Sequence, residues 1–330
     1  MSRRRTVVLA SAATLFVLGG LLAAVVAAIT QTRWGRDQIR EQAMSFINAR
    51  IQGKMYIGHL QGSLFSELVV DSFAIREKND SLFVSTGPIA IRFDPRDLLD
   101  RRIVASEVTV ERAVVHILED STKTWNFRKI FPPGPKGAPK PPGVHNFGDY
   151  IFINAARIKD GTFLLTMPWH PDDSLRGARR DSAVAHALGR RDKRIRQVGS
   201  HYQTERSWTN LALELGPSRI DDRSALGRQF DVQRLDADEF DPPFQFRDLR
   251  GKVRNKGDSL WADVPHFRLP GSRGSMRGKV WWGSDLPTRY DLTFVADTLA
   301  LADVAWVYPT LPTKGGGRAT LHIGNAADLH

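Results

Sequence analysis

From Gly53 onward, apolar and polar positions alternate in short runs, a pattern that predicts strands. Met55 to Leu60, Glu67 to Arg76, Ser81 to Ser85, Ile89 to Phe93 and Glu107 to Leu118 are rich in β-branched and aromatic residues and separated by turn residues. The period of two is clearest at Ile89, Ile91 and Phe93. It recurs at Val108, Val110, Val114 and Leu118, where Arg112 and His116 interrupt it. Strands resume at Tyr150 to Asn154 and Gly161 to Met167. From Ser207 alternation returns at Leu211, Leu213 and Leu215, at Phe244 and Phe246, at Leu292 and Phe294, and at Leu321 and Ile323. Strands this closely spaced, with little helix between them, predict antiparallel pairing.

Three stretches break the strand pattern. Trp34 to Gln52 carries Trp34, Ile39, Ala43, Phe46, Ile47 and Ile51 at helical spacing, with Gly53 placed to end a helix. One apolar stripe is what a sheet-capping helix shows, and that reading is favoured over a helix lying at a membrane surface. Asp94-Pro95 starts a short helix, with the Asp as cap and the Pro just inside it. Pro132 to Gly143 reads PPGPKGAPKPPG, a stiff spacer.

Ahead of all this, Thr6 to Thr32 runs for 27 residues without a charge. As a helix it reaches about 40 Å, enough to cross an apolar core of about 30 Å. Arg3, Arg4 and Arg5 precede it and predict a cytoplasmic N-terminus. A cleaved signal peptide, cut near Ala27, is the competing reading, but its apolar region would be about 7–15 residues long. The expectation is a single-pass inner-membrane anchor with the bulk of the chain periplasmic.

The fold expected is mainly β: a transmembrane helix and a short capping helix, then an antiparallel sheet of repeating type. The segments are 1–32 (cytoplasmic tip and anchor), 33–131 (helix plus β module), 132–147 (linker) and 148–330 (a continuing β module with a basic insertion at 170–206). Asp80-Ser81-Leu82-Phe83 echoes Asp258-Ser259-Leu260-Trp261, a mild sign of repetition. Leu321 to Asn325 opens a further strand and turn, which suggests a segment of a longer protein.

The formal net charge of +11 is unevenly spread. Three charges come from Arg3 to Arg5, and six more from nine Lys or Arg set against three acids between Arg176 and Arg206. The near-neutral remainder argues against a nucleic-acid surface. The basic stretch is a solvated insertion by default. Arg190, Arg191, Lys193, Arg194 and Arg196 are the candidates to meet anionic lipid headgroups by charge attraction.

Candidate chemistry is sparse. Cysteine is absent, which removes disulfides, thiolates and Cys-bound metals. Nine histidines form no HExxH motif or i, i+4 pair. Asp172-Asp173 and Asp221-Asp222 are sequence neighbours, not facing carboxylates. Gly315-Gly316-Gly317 lacks the Lys-Ser/Thr ending of a phosphate loop, and there is no GxSxG. Trp281-Trp282 and Trp306-Val307-Tyr308-Pro309 read as core aromatics, with a sugar or lipid contact as the alternative. No catalytic residue, metal site or cofactor is expected.

The order of elements resembles the start of the AsmA-like/TamB (translocation and assembly module) family. An anchor is followed by Trp34-Gly35-Arg36-Asp37-Gln38-Ile39, Gly53-Lys54-Met55-Tyr56-Ile57-Gly58, Gly62-Ser63-Leu64-Phe65 and Val69-Val70-Asp71-Ser72-Phe73-Ala74-Ile75. The resemblance covers residues 1–131, and the proline linker and basic insertion depart from the family pattern. It implies a bent sheet whose apolar concave face conducts phospholipid between the two membranes of a diderm envelope. Ile89, Ile91, Phe93, Val108, Val110 and Val114 would then line the groove, or else pack under the N-terminal helix. The alternative it implies is a scaffold that assembles outer-membrane proteins with an outer-membrane barrel partner.

Overall fold

The computed structural model describes residues 32–325 apart from 64–65, 95, 98–101, 133–149, 190–193, 222–223, 225, 240–243, 283–288 and 305–311. The anchor expected at 1–32, most of the linker, and Trp306 to Pro309 therefore lie outside the described residues. No helix among the described residues is long and apolar enough to cross a membrane.

The chain opens with helix α1 (Arg33–Asn48), capped by Thr32, whose Oγ1 accepts from the Gly35 N–H at 3.1 Å. The helix stops before the Gly53 expected to end it. Asn48 binds the Met55 backbone twice, accepting from N–H at 2.6 Å and donating to C=O at 3.2 Å, and so ties the helix end to the first strand. Gly53 instead serves close approach, since a Cβ there would lie 2.4 Å from the Arg76 carbonyl oxygen. The apolar stripe of α1 is only partly covered: Trp34 is 68% exposed and Phe46 58%.

The first twelve strands after α1 are β1 (Gly53–Ile57), β2 (Leu60–Ser63), β3 (Glu67–Val70), β4 (Phe73–Glu77), β5 (Leu82–Thr86), β6 (Ile89–Phe93), β7 (Ile103–Glu111), β8 (Val114–Leu118), β9 (Tyr150–Ile153), β10 (Ala156–Trp169), β11 (Ile195–Val198) and β12 (His201–Leu215). Then come β13 (Ser218–Asp221), β14 (Arg228–Glu239), β15 (Phe244–Lys256), β16 (Ser259–Arg268), β17 (Arg273–Trp281), β18 (Arg289–Ala300) and β19 (Gly316–Gly324). Short helices interrupt them, among them α2 (Asn126–Ile130), α3 (Gly177–Leu188) and α4 (Leu301–Val304).

All nineteen strands belong to one sheet. It is a meander in chain order. β1 with β2 pairs β4 with β3, which pair β5 with β6, which pair β8 with β7. β10 lies beside β7 and β8, β12 beside β10, and β14 to β19 follow one after another.

One step departs from the antiparallel expectation. β9 and β10 run parallel to β7 and β8, so β9 starts again from the end of the sheet where β7 starts. That pairing also joins the two modules predicted from sequence into a single sheet. The basic insertion is likewise not a simple appendage: α3 is helical, as expected in part, but β11 returns as a hairpin onto β12.

Bulges recur through the sheet. Arg112, Asp160, Asn210 and Asp248 all hold left-handed backbone, with φ between 50° and 54°. Register shifts occur beside Asp160, Asn210 and Asp248 in the ladders β10 to β12, β12 to β14 and β15 to β16. Each bulge bends its strand and increases local twist.

The return segment is fixed by a hydrogen-bonded turn. Asp120 accepts from Lys129 Nζ at 2.6 Å, from both the N–H and the hydroxyl of Thr122, and from the Thr124 N–H. Burial opposes ionisation, yet these bonds hold the carboxyl well below the usual carboxylate range. A lowered folded pKa contributes stability that is complete above the unfolded value of about 4 and lost as pH falls through the folded one. Amide exchange at Thr122 and Thr124 is therefore expected to stay slow from pH 7 to 5 after correction for intrinsic rates. It is expected to speed up below about pH 4, and Asp120→Asn should show the fast rate at pH 7.

Candidate functional site

The site is built from side-chain alternation carried sideways across the ladder. Residues directly opposite in a sheet share a face. One such row reads Leu68, Ile91, Val108, Ala156, Leu215, Val232 and Gly251 across β3, β6, β7, β10, β12, β14 and β15. The next row on that face reads Val70, Ile89, Val110, Ile158, Leu213, Leu235 and Leu249. A third continues it as Phe230, Val253, Ala262, Gly278, Leu292 and Ile323 across β14 to β19. No ionisable residue interrupts any of the three.

The opposite face is charged. Glu67, Arg92, Glu107 and Arg157 form a chain of ion pairs at 3.2, 2.8 and 2.8 Å. Register then sets Arg157 against Glu214 and Glu214 against Arg234, and Arg234 pairs with Asp236 at 2.5 Å. The side chains of the Arg92 chain are well exposed, so each pair contributes little stability. Their effect is on register: a slip of one residue would bring the charges onto the apolar face.

Burial distinguishes the two faces. Ile89, Ile91, Val108, Val110, Ile158, Leu213, Leu215 and Leu235 are half-buried, whereas Arg92, Arg157 and Arg234 are exposed. The principal helix contacts are with β1, β2, β4, β8, β11 and β18. Among the described residues, then, no layer of helix covers the apolar rows from β6 through β10 to β17. Twelve apolar side chains are buried among the described residues, and five of them are alanines, so the sheet has no thick core of its own.

Of the six residues singled out from sequence, Ile89, Ile91, Val108 and Val110 stand in these rows. Phe93 continues the face, opposite Ala105 across a register shift. Val114 does not belong with them. Arg112 adds a left-handed residue between β7 and β8, and the parallel register pairs Val114 with Thr162 and Val115 with Phe163. A Cβ on Gly161 would lie 3.1 Å from Ile158, which puts Gly161 and, two residues on, Phe163 on the apolar face. Val115 therefore holds that face and Val114 the other. The further members Ile158, Leu235 and Leu249 were not singled out from sequence, because neighbours across a sheet carry no local signal.

Arg190, Arg191 and Lys193 lie outside the described residues. Arg194 is committed elsewhere: it reaches Glu239 at 3.2 Å beside Arg206, which binds the same carboxylate with both nitrogens at 2.9 and 3.1 Å. Arg196 pairs with Glu205 at 3.1 Å and is exposed. His116 is half-buried with Nε2 2.9 Å from Thr166 Oγ1. Burial pushes its pKa down against the opposing fields of Glu205 and Glu77. No cluster of three or more potential metal ligands occurs among the described residues. A cavity of about 1160 Å³ lies on the charged face over β14 to β18.

Comparison with known proteins finds no protein family whose model matches this chain and no curated protein that matches it.

Proposed function

We propose that the chain is an inner-membrane-anchored periplasmic protein of the AsmA-like/TamB type that guides phospholipid along the apolar face of its sheet without catalysis. The supporting observation is the pair of seven-residue apolar rows from β3 to β15, mostly half-buried and, among the described residues, without a helical cover. An acyl chain exposed to water costs about 0.8 kcal/mol per methylene. A continuous apolar strip removes most of that cost along the whole path, and its lack of fixed polar anchors lets the chain slide. The ion-paired opposite face keeps the outside of the sheet wetted.

The full chain, solubilised and washed in lipid-free detergent, is expected to retain phospholipid that extraction and mass spectrometry can count. Ile91→Asp combined with Leu213→Asp should remove most of it, while Thr109→Asp on the charged face should leave the count unchanged. Equal retention by all three would end the conduit reading.

A second reading is a scaffold for outer-membrane protein assembly. It draws on the open ladder, in which strands are added one after another by backbone pairing from β14 to β19, the mode by which a client strand would be taken up. Crosslinking from β19 to a barrel protein would favour it.

A further inference from the structure

The cavity on the charged face is chemically unlike the rest of that face. Two rows of side chains form its floor. Register aligns Gln229, Arg254, Trp261, Lys279 and Asp291 in one, and Asp231, Lys252, Asp263, Arg277 and Thr293 in the other. Trp281 adds a second indole two residues along from Lys279. Both tryptophans are half-buried, and the Lys279 Nζ sits 4.9 Å from the Trp261 ring centre and 4.1 Å from that of Trp281. Elsewhere on this face cations are paired with carboxylates, as in the Arg92 and Arg234 clusters. Here, among the described residues, no carboxylate lies within ion-pair distance of Lys252, Arg254, Arg277 or Lys279, although Asp231 and Asp263 are their neighbours in register.

We infer that this cavity binds an acidic saccharide, with sugar rings on the Trp261 and Trp281 indoles and acid groups on Lys252, Arg254, Arg277 and Lys279. The chemistry divides by residue type. Indole rings offer flat apolar faces of the size of a pyranose and keep one polar edge. Guanidinium and ammonium groups with no carboxylate partner supply strong charge-assisted hydrogen bonds to a carboxylate or sulfate, while Arg254 and Lys279 also edge the indoles. The interleaved Asp231, Asp263 and Asp291 accept hydrogen bonds from sugar hydroxyls. They also repel a uniformly charged phosphate backbone, which separates this surface from a stacking platform for single-stranded nucleic acid. A volume of about 1160 Å³ exceeds a typical small-ligand pocket and admits several sugar units. The site is independent of the apolar rows, since its side chains point to the other side of the same strands.

The test is titration of the full chain in detergent with pentagalacturonate, followed by calorimetry and tryptophan fluorescence. Maltopentaose and a ten-nucleotide oligo-dT serve as comparisons. Saturable binding of pentagalacturonate, at least tenfold tighter than either comparison, is expected. Lys252→Gln with Arg277→Gln should weaken it at least tenfold with the circular dichroism unchanged. Trp261→Phe with Trp281→Phe should abolish the fluorescence change and weaken the calorimetric affinity. Absence of binding, oligo-dT binding as tight as pentagalacturonate, or an affinity unmoved by the Lys252/Arg277 variant would each overturn the inference.

Discussion

Glu239→Ala is expected to be the most damaging single substitution in the described sheet, costing about 3–5 kcal/mol. The Glu239 side chain is 3% exposed and closes a cluster with Arg206 and Arg194, themselves 22% and 16% exposed. Removing the carboxylate takes from two largely buried guanidinium groups the counter-charge they share on β14, and that loss dominates the cost. The cluster also joins β11 and β12 to the end of β14, so its loss should loosen three strands together. Hydrogen exchange should show β11, the first half of β12 and the end of β14 losing protection as one unit. Replacing Arg206 as well should recover part of the loss, because one of the two charges that Glu239 balanced is then gone.

Gly251→Val is expected to cost about 3 kcal/mol or more, the upper end for overpacking, because the obstruction is main chain. A Cβ at Gly251 would stand 2.3 Å from the Asp263 carbonyl oxygen and 2.7 Å from the Val264 Cα. Neither can move aside as a side-chain tip can, so β15 and β16 must separate. Val264, 2% exposed, sits in that same contact and would lose its packing. Chemical denaturation should show the lower midpoint. Val253→Ala, two residues along on the same face, should cost far less because Val253 is only half-buried.

The strands were legible wherever alternation is local. Ile89 to Phe93, Leu211 to Leu215 and Leu292 to Phe294 are all strand, and their apolar members share a face within each strand. The helix over Arg33 to Asn48 was legible from its spacing, although its end was set by Asn48 and Met55, a side-chain tie that spacing does not show. Val114 was misplaced because a left-handed Arg112 changes the parity of the strand. An arginine gives no warning of that conformation as a glycine would. The parallel join of β7 with β10 was hidden for another reason: the pairing of Val108 with Ala156 spans the proline-rich linker, and periodicity says nothing across such a distance. Glu239 had no local signature either, its partners Arg206 and Arg194 lying on other strands. The charged-face cavity was half legible. Trp281 stood out as an aromatic cluster with a sugar contact among its readings, but only the register brings it beside Trp261 and the four unpaired cations.

The central claim, that lipid travels on one face of this sheet, is tested most directly by photocrosslinking in membranes of cells that express the full chain. Benzoylphenylalanine would be placed singly at Ile91, Val108, Leu213 and Leu235, and at Thr109, Arg157 and Glu214. The account predicts radiolabelled phospholipid adducts at the first four positions and none at the last three, so that Val108 and Thr109, adjacent in sequence, give opposite results. Adducts at both sets, or at neither, would contradict it.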